Sequence, residues 1–198
     1  HYFELAYLCV YLVVPAGAIT LLAGGRGDAI GMYWKVVLLA EFACYGMLPW
    51  LQTRPPRSLE PAEAAPPAGA VRRLSLHVLG AGSIGVNTIP SGHAAGSVAV
   101  ALAVGSVMPR AGAVYMLLAA SITVATVLGR YHYVVDSVLG VLVALAAGAS
   151  IGGIEAAIRD YQQASETLRR LTQVVRVAEP EVVEQVEKAL AERRALEK

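Results

Sequence analysis

The chain has 198 residues, is 56% hydrophobic with a mean hydropathy of +0.55, and carries only 16% charged residues with a net charge of +1. Soluble domains carry roughly 25% charged residues, so the composition speaks against an ordinary soluble domain, and without a basic block or zinc-finger spacing no nucleic-acid partner is expected. The charge is uneven: residues 155–198 hold 8 of the 16 Lys/Arg and 9 of the 15 Asp/Glu, which predicts a transmembrane body over 1–155 and a polar helical tail over 156–198.

A bilayer-spanning helix needs about 20 mostly apolar residues. The first such stretch is 5–24 and the second 32–51, with Lys35 placed to snorkel near one end. Glu41, near the middle of the second stretch, is expected to pair with a polar group inside the bundle or, as the second choice, to contact substrate. Cys9 and Cys44 both lie in apolar runs, so no disulfide framework is expected. No charged flank with a small-residue cleavage site marks a signal peptide.

The segment 52–92 opens with RPPRSLEPAEAAPPAG, too rich in proline for a regular helix. It continues as VRRLSLHVLGAGSIGV, where Val71, Leu74 and Val78 have helical spacing beside Arg72 and Arg73, the pattern of an interfacial helix. His77 in that helix is given no role. NTIPSGH follows, and then a third apolar stretch from Ala94 to Pro109, a fourth from Ala111 to Leu128, the sequence RYHYVVD, and a fifth from Tyr133 to Ile154. The third and fourth are short for spans, and their Gly, Ala and Ser content suits close helix packing. In the tail, Pro180 is placed to open a helix, and Val182, Val183, Val186, Ala189 and Leu190 form a narrow apolar stripe. That reads as an amphipathic solvated helix, which could also pair with a second copy into a homodimer. The fold class is thus all-α, a polytopic membrane bundle of about five spans.

Counting crossings from the end of the second stretch brings Arg54, Arg57, PSGH and RYHYVVD to one membrane face. His132 and Asp136 are four apart, which on a helix puts them on one side, one turn apart. A carboxylate there can fix the imidazole tautomer and leave the other ring nitrogen free to attack. Pro90 leads into a helix whose N-terminus would hold Ser91 and Gly92, where backbone N–H groups and the helix dipole favour an anion. The bland alternatives are a self-satisfied His–Asp pair and a simple serine cap. His93 adds a proton donor. Arg54 and Arg57 add guanidinium groups suited to tetrahedral oxyanions, though arginines at a span end also serve as headgroup anchors. No clustered carboxylates or Cys/His zinc spacing point to a metal.

Pro90-Ser91-Gly92-His93 followed by His132-x3-Asp136 resembles the type 2 phosphatidic acid phosphatase (PAP2) superfamily of integral-membrane lipid phosphatases and phosphotransferases, over roughly residues 32–155. The resemblance implies that His132 is a nucleophile forming a phosphohistidine, that Asp136 orients it, and that His93 protonates the leaving group. Ser91, Gly92, Arg54, Arg57 and Arg130 would hold phosphate, with no metal or cofactor. The sequence departs from the family pattern at Met47, where a lysine is usual, and at Thr126, where an arginine is usual; Arg130 lies only two residues before the histidine. These departures are similar to the inositol phosphorylceramide synthase branch.

The resulting expectation is a lipid phosphatase acting on a phosphomonoester or diphosphate drawn from the bilayer. The alternatives are a phosphotransferase to an alcohol and a non-catalytic phospholipid-binding scaffold. A positive-inside count would put the site face in the cytoplasm, but its arginines have a phosphate-binding explanation. The resemblance places the site outside the cytoplasm in a six-span fold. The expected location is therefore a bacterial inner (cell) membrane with an extracytoplasmic active site and a first span preceding His1.

Overall fold

The computed structural model describes residues 2–59, 69–82, 86 and 89–196. Among these the chain is all-helical, with seven α-helices: α1 Tyr2–Leu8, α2 Val10–Ala23, α3 Ile30–Tyr45, α4 Ala70–Gly82, α5 Gly92–Gly105, α6 Pro109–Leu128 and α7 Val134–Leu196. Two segments are long and apolar enough to cross a membrane, Pro109–Leu128 and Val134–Gln173; α1 and α2 make a third only if the pair is taken as one bent span. The helices at the second and third expected spans, α3 and α5, have 16 and 14 residues.

The shortness of α5 follows from where it sits. Its sequence GHAAGSVAVALAVG holds no large side chain beyond the histidine and one leucine, and 11 of its 14 residues are buried. It packs against α2, α3 and α6. A helix apolar all round belongs in the middle of a bundle, and small residues let neighbouring backbones approach. At the α5–α6 corner the approach is extreme: a Cβ added to Gly112 would overlap the Cα of Gly105. The outward faces of the surrounding helices are apolar instead, with Leu12, Leu22, Phe42, Leu117 and Leu142 all exposed. An apolar exterior of this extent fits lipid, not water.

The first expected span is not one straight helix. It breaks at Cys9, and α1 turns by 60° from α2. Polar groups on α1 explain the turn. Glu4 accepts hydrogen bonds from Arg72 of α4 and from the Tyr131 hydroxyl, so α1 is drawn across the end of the bundle. The interfacial helix expected near Val71 is α4, tied to α1 by that ion pair. At the opposite end, Arg26 donates to the Val107 carbonyl at 3.0 Å and joins the α2–α3 turn to the end of α5.

The chain divides into two compact units, His1–Ile151 and Gly152–Lys198. The second is helical through Leu196 and carries an exposed Glu166–Arg170 pair at 2.9 Å. Pro180 does not open a helix there, because α7 runs through it. An interior proline removes one backbone hydrogen bond at a cost of about 3 kcal/mol, a small part of the bonding in a 63-residue helix.

The glycine contact between α5 and α6 yields a stability test. Gly112→Val forces the two helices apart and should cost about 2 kcal/mol, lowering the Tm of the detergent-solubilised protein by several degrees. Gly31→Ala, where nothing lies within 4 Å of the added Cβ, should leave the Tm unchanged; a Gly112→Val protein melting with the wild type would disprove close packing at this corner.

Candidate active site

Two helix N-termini build the site. α7 starts at Val134, so Tyr133 is its capping residue and Asp136 its third position. Asp136 Oδ2 accepts a hydrogen bond from the Tyr133 N–H at 3.0 Å, the reach-back half of a capping box. The same oxygen lies 3.4 Å from His132 Nδ1. His132 itself precedes the helix. The spacing expected to put both residues on one helical face therefore works differently: the turn folds His132 back onto the capping carboxylate. Both are buried, at 4% and 0% exposure. His132 Nδ1 and Asp136 Oδ1 have no hydrogen-bond partner, so the pair is close without full alignment. Such loose contacts are common in sites without substrate.

The turn is pinned from both sides. The N–H groups of Tyr131 and His132 both donate to the Thr126 carbonyl, at 2.9 and 3.0 Å. The Thr126 hydroxyl meets the Ser137 hydroxyl at 3.0 Å. Arg130 takes up a left-handed backbone conformation, φ 60°, and its carbonyl accepts from the Arg57 N–H at 3.1 Å.

The second N-terminus is that of α5. Ser91 is its cap, with Oγ accepting from the Ala94 N–H at 3.4 Å. The Ser91 N–H donates to the Asp136 carbonyl at 2.8 Å. That bond joins PSGH to RYHYVVD directly. Gly140 permits it, since a Cβ there would overlap the Ser91 carbonyl oxygen. The His93 ring lies 5.6 Å from the His132 ring, centroid to centroid. It stacks on Tyr7 at 5.5 Å, with the Tyr7 hydroxyl 3.5 Å from His93 Nε2.

Of the arginines, Arg57 belongs to this cluster. Its guanidinium lies 5.0 Å from the centre of the Tyr131 ring, within cation–π range, and within electrostatic reach of His93. Its NH1 is buried with no hydrogen-bond partner. Arg54 and Arg130 are exposed, and the Arg130 carbonyl holds the Arg57 N–H. The structure thus brings together Ser91, Gly92, His93, His132, Asp136 and Arg57, with Arg54 and Arg130 at the surface.

Three residues that sequence reasoning left out support the cluster. Tyr131 stacks on Tyr7 at 4.0 Å and donates its hydroxyl to Glu4 at 3.0 Å. Burial pushes its phenol up to about 12, although Arg72 works the other way, so the hydroxyl stays protonated at neutral pH. Glu4 in turn holds Arg72, whose guanidinium also donates to the Gly129 carbonyl at 3.3 Å. Tyr131 stood between two residues already singled out and could have been found there. Nothing in the spacing of the first apolar stretch pointed to Tyr7 or Glu4.

Among the described residues no three His, Cys, Asp or Glu side chains converge on a point that could hold a metal ion. The arrangement offers a tethered imidazole, a second imidazole beside it, a buried guanidinium N–H without a partner, and a helix N-terminus. Those groups can bind an oxyanion and move a proton next to it.

No solved structure matches the chain. A stretch of 44 residues, 22% of the chain, is 48% identical to the alanine–tRNA ligase of Solibacter usitatus (strain Ellin6076), and it covers only 5% of that protein's length. So small a share carries no function across. The profile of the PAP2 superfamily, by contrast, matches residues 1–150, the stretch that contains the whole cluster from Arg57 to Asp136, and the chain belongs to that superfamily.

Proposed function

We propose that the chain is an integral-membrane lipid phosphatase that cleaves a phosphomonoester or diphosphate of a lipid through a phosphohistidine on His132. Membership of the PAP2 superfamily supports an enzyme of the phosphatase or phosphotransferase type. The observation that carries the finer reading is the placement of His132 Nδ1 3.4 Å from Asp136 Oδ2, with the His93 ring alongside. A carboxylate on Nδ1 holds that nitrogen protonated and leaves Nε2 with its lone pair. In the first step Nε2 attacks phosphorus, the P–O bond to the leaving group (the lipid alcohol of a monoester, the lipid phosphate of a diphosphate) breaks, and His93 gives its proton to the departing oxygen. In the second step water attacks phosphorus and passes a proton back to His93. The P–N bond then breaks, releasing inorganic phosphate and restoring His132.

The charge that builds on the phosphoryl oxygens would be met by Arg57 and by the N-terminus of α5 at Ser91 and Gly92. Preorganised donors of this kind supply most of the stabilisation in phosphoryl transfer. Arg54 and Arg130, both exposed, would meet the headgroup as it arrives. The phosphotransferase reading shares the first step and replaces water with an alcohol. It draws support from Met47 and Thr126, which stand where cations are usual in the hydrolytic pattern. We favour hydrolysis because the sequence of segment 52–92 opens polar and proline-rich and offers little apolar cover against water. On this reading the enzyme sits in a bacterial inner membrane and takes lipid sideways from the bilayer, with its active site outside the cytoplasm.

His132→Ala should lower turnover of a lipid phosphate by at least about a thousandfold and abolish an acid-labile phosphoenzyme. His93→Ala should slow formation of that species most for a poor leaving group. Inorganic phosphate should appear at the same rate with and without added polyol; a new phosphodiester with no free phosphate would select the transferase. An active His132→Ala enzyme would refute the mechanism in either form.

Chelators should leave the rate within about twofold, and vanadate should inhibit by mimicking five-coordinate phosphorus. Activity lost to chelator and restored by Mg²⁺ would remove the arginine and helix N-terminus from their proposed role. In a variant lacking Cys9 and Cys44, a cysteine at Ser58 should label from outside intact cells and one at Asp28 only after permeabilisation. The reverse pattern would turn the site to the cytoplasm.

A further inference from the structure

Glu41 is not used by the mechanism above. It lies on α3 one turn before Tyr45. Its carboxyl group rests on the first two turns of α5: a Cβ added to Gly92 would lie 3.2 Å from Oε2 and 3.0 Å from the Tyr45 ring, and one added to Gly96 would overlap Oε1. The two glycines, four apart, form a notch that admits the carboxyl. The partner expected for Glu41 inside the bundle is not engaged by Oε2, which is buried without a hydrogen bond. The residue as a whole remains partly accessible. An ionisable side chain in an apolar bundle is costly and marks a functional position by default, and an unmade hydrogen bond adds to that cost.

The surroundings select what could complete it. Gly92 opens α5 directly after the cap Ser91, and Gly96 is one turn further in, so the carboxyl group lies along the first turn of α5, between Gly92 of the anion cradle and Gly96. A carboxyl group does not attract a second anion. It does accept from, or donate to, a hydroxyl. Tyr45 lies within electrostatic reach of both Glu41 and Tyr11, and the Tyr11 ring stands 6.4 Å from that of His93. Tyr11 and Tyr45 are 48% and 45% exposed. A row of polar groups on an exposed side of the bundle therefore leads from Glu41 toward the histidine pair.

We infer that Glu41 is a specificity-determining residue that hydrogen-bonds a hydroxyl carried by the lipid on the carbon next to the phosphate-bearing carbon. The inference rests on reading the histidine cluster as a lipid-phosphate site. The glycine notch places the carboxyl group between Gly92 and Gly96, beside the α5 N-terminus where the phosphate would be held, so a hydroxyl it could reach is one close to the phosphate ester. Lipid phosphates that begin with bare hydrocarbon would leave Oε2 unpaired and bind less well.

The test uses two lipids that differ by one hydroxyl: a 1-acyl-glycerol 3-phosphate and its 2-deoxy analogue. For the wild type, kcat/KM should favour the hydroxylated lipid by about tenfold. Glu41→Leu should lose that preference through a fall on the hydroxylated lipid alone, while Glu41→Gln, which keeps a donor and an acceptor, should retain most of it. Affinities of both lipids for His132→Ala protein, measured calorimetrically in detergent, should show the same preference without turnover. Equal wild-type handling of the two lipids overturns the inference. So does a Glu41→Leu loss shared by both lipids and accompanied by a lower Tm, which marks a packing role. A preference seen in binding with no phosphate released by the wild type keeps Glu41 in its assigned role and overturns the phosphatase reading instead.

Discussion

The site depends on one backbone hydrogen bond, from the Ser91 N–H to the Asp136 carbonyl at 2.8 Å. It joins two helix N-termini through residues that are 45 apart in sequence. Each N-terminus leaves backbone N–H groups without intrahelical partners and carries the positive end of a dipole. Held together, the two make a single electropositive corner. Gly140 is the steric condition for this contact, because any side chain there would meet the Ser91 carbonyl. The carboxylate of Asp136 then serves two purposes: it caps α7 through Tyr133 N–H and stands beside His132 Nδ1. Capping fixes the side chain before any substrate arrives, so the histidine meets an acceptor already in position.

The rest of the bundle holds that corner in place at modest cost. α5 is buried nearly all round and built of small residues, so its N-terminus is set by backbone packing against α2, α3, α6 and the start of α7 instead of by long side chains. α1 bends across the end of the bundle because Glu4 is anchored to Arg72 and Tyr131, and the bend carries Tyr7 onto the faces of His93 and Tyr131. The ion pair also has an electrostatic consequence. Arg72 is neutralised by Glu4, whereas among the described residues no carboxylate pairs with Arg57. Of the two guanidinium groups near the Tyr131 ring, Arg57 is therefore the one proposed to meet the anion.

Much of this was legible in the sequence, for definite reasons. The apolar runs gave the helical class, since only helices and closed barrels satisfy their backbone in a bilayer. The parity of those runs put PSGH and RYHYVVD at one end of the bundle, and the structure joins them by the Ser91–Asp136 bond. Ser91 is the cap that its position suggested. What stayed hidden depends on tertiary contacts. Periodicity cannot show that α1 and α2 part at Cys9, because the cause is an acid at position 4 meeting a base at position 72. Spacing alone made His132 and Asp136 helical neighbours; the turn pinned by the Thr126 carbonyl does the work instead. Arg54 and Arg57 looked equivalent in RPPR, and only the fold separates the exposed one from the one whose NH1 is buried.

Thr126 shows why the departures from the family pattern need not weaken the site. Its side chain is fully buried and bonded to Ser137, and its carbonyl holds both Tyr131 and His132. An arginine there would have to reach past the turn that it supports. A cation is present instead in the segment after α3, where Arg57 is fixed through its own N–H to Arg130 and over the Tyr131 ring. Arg130 takes part through its backbone, and its left-handed conformation turns the carbonyl toward Arg57. In this chain a guanidinium near the histidines is borne by a loop held against the turn. A loop-borne guanidinium keeps its position only while the turn keeps its shape, which would tie the proposed phosphate-binding role of Arg57 to the same hydrogen bonds that position His132.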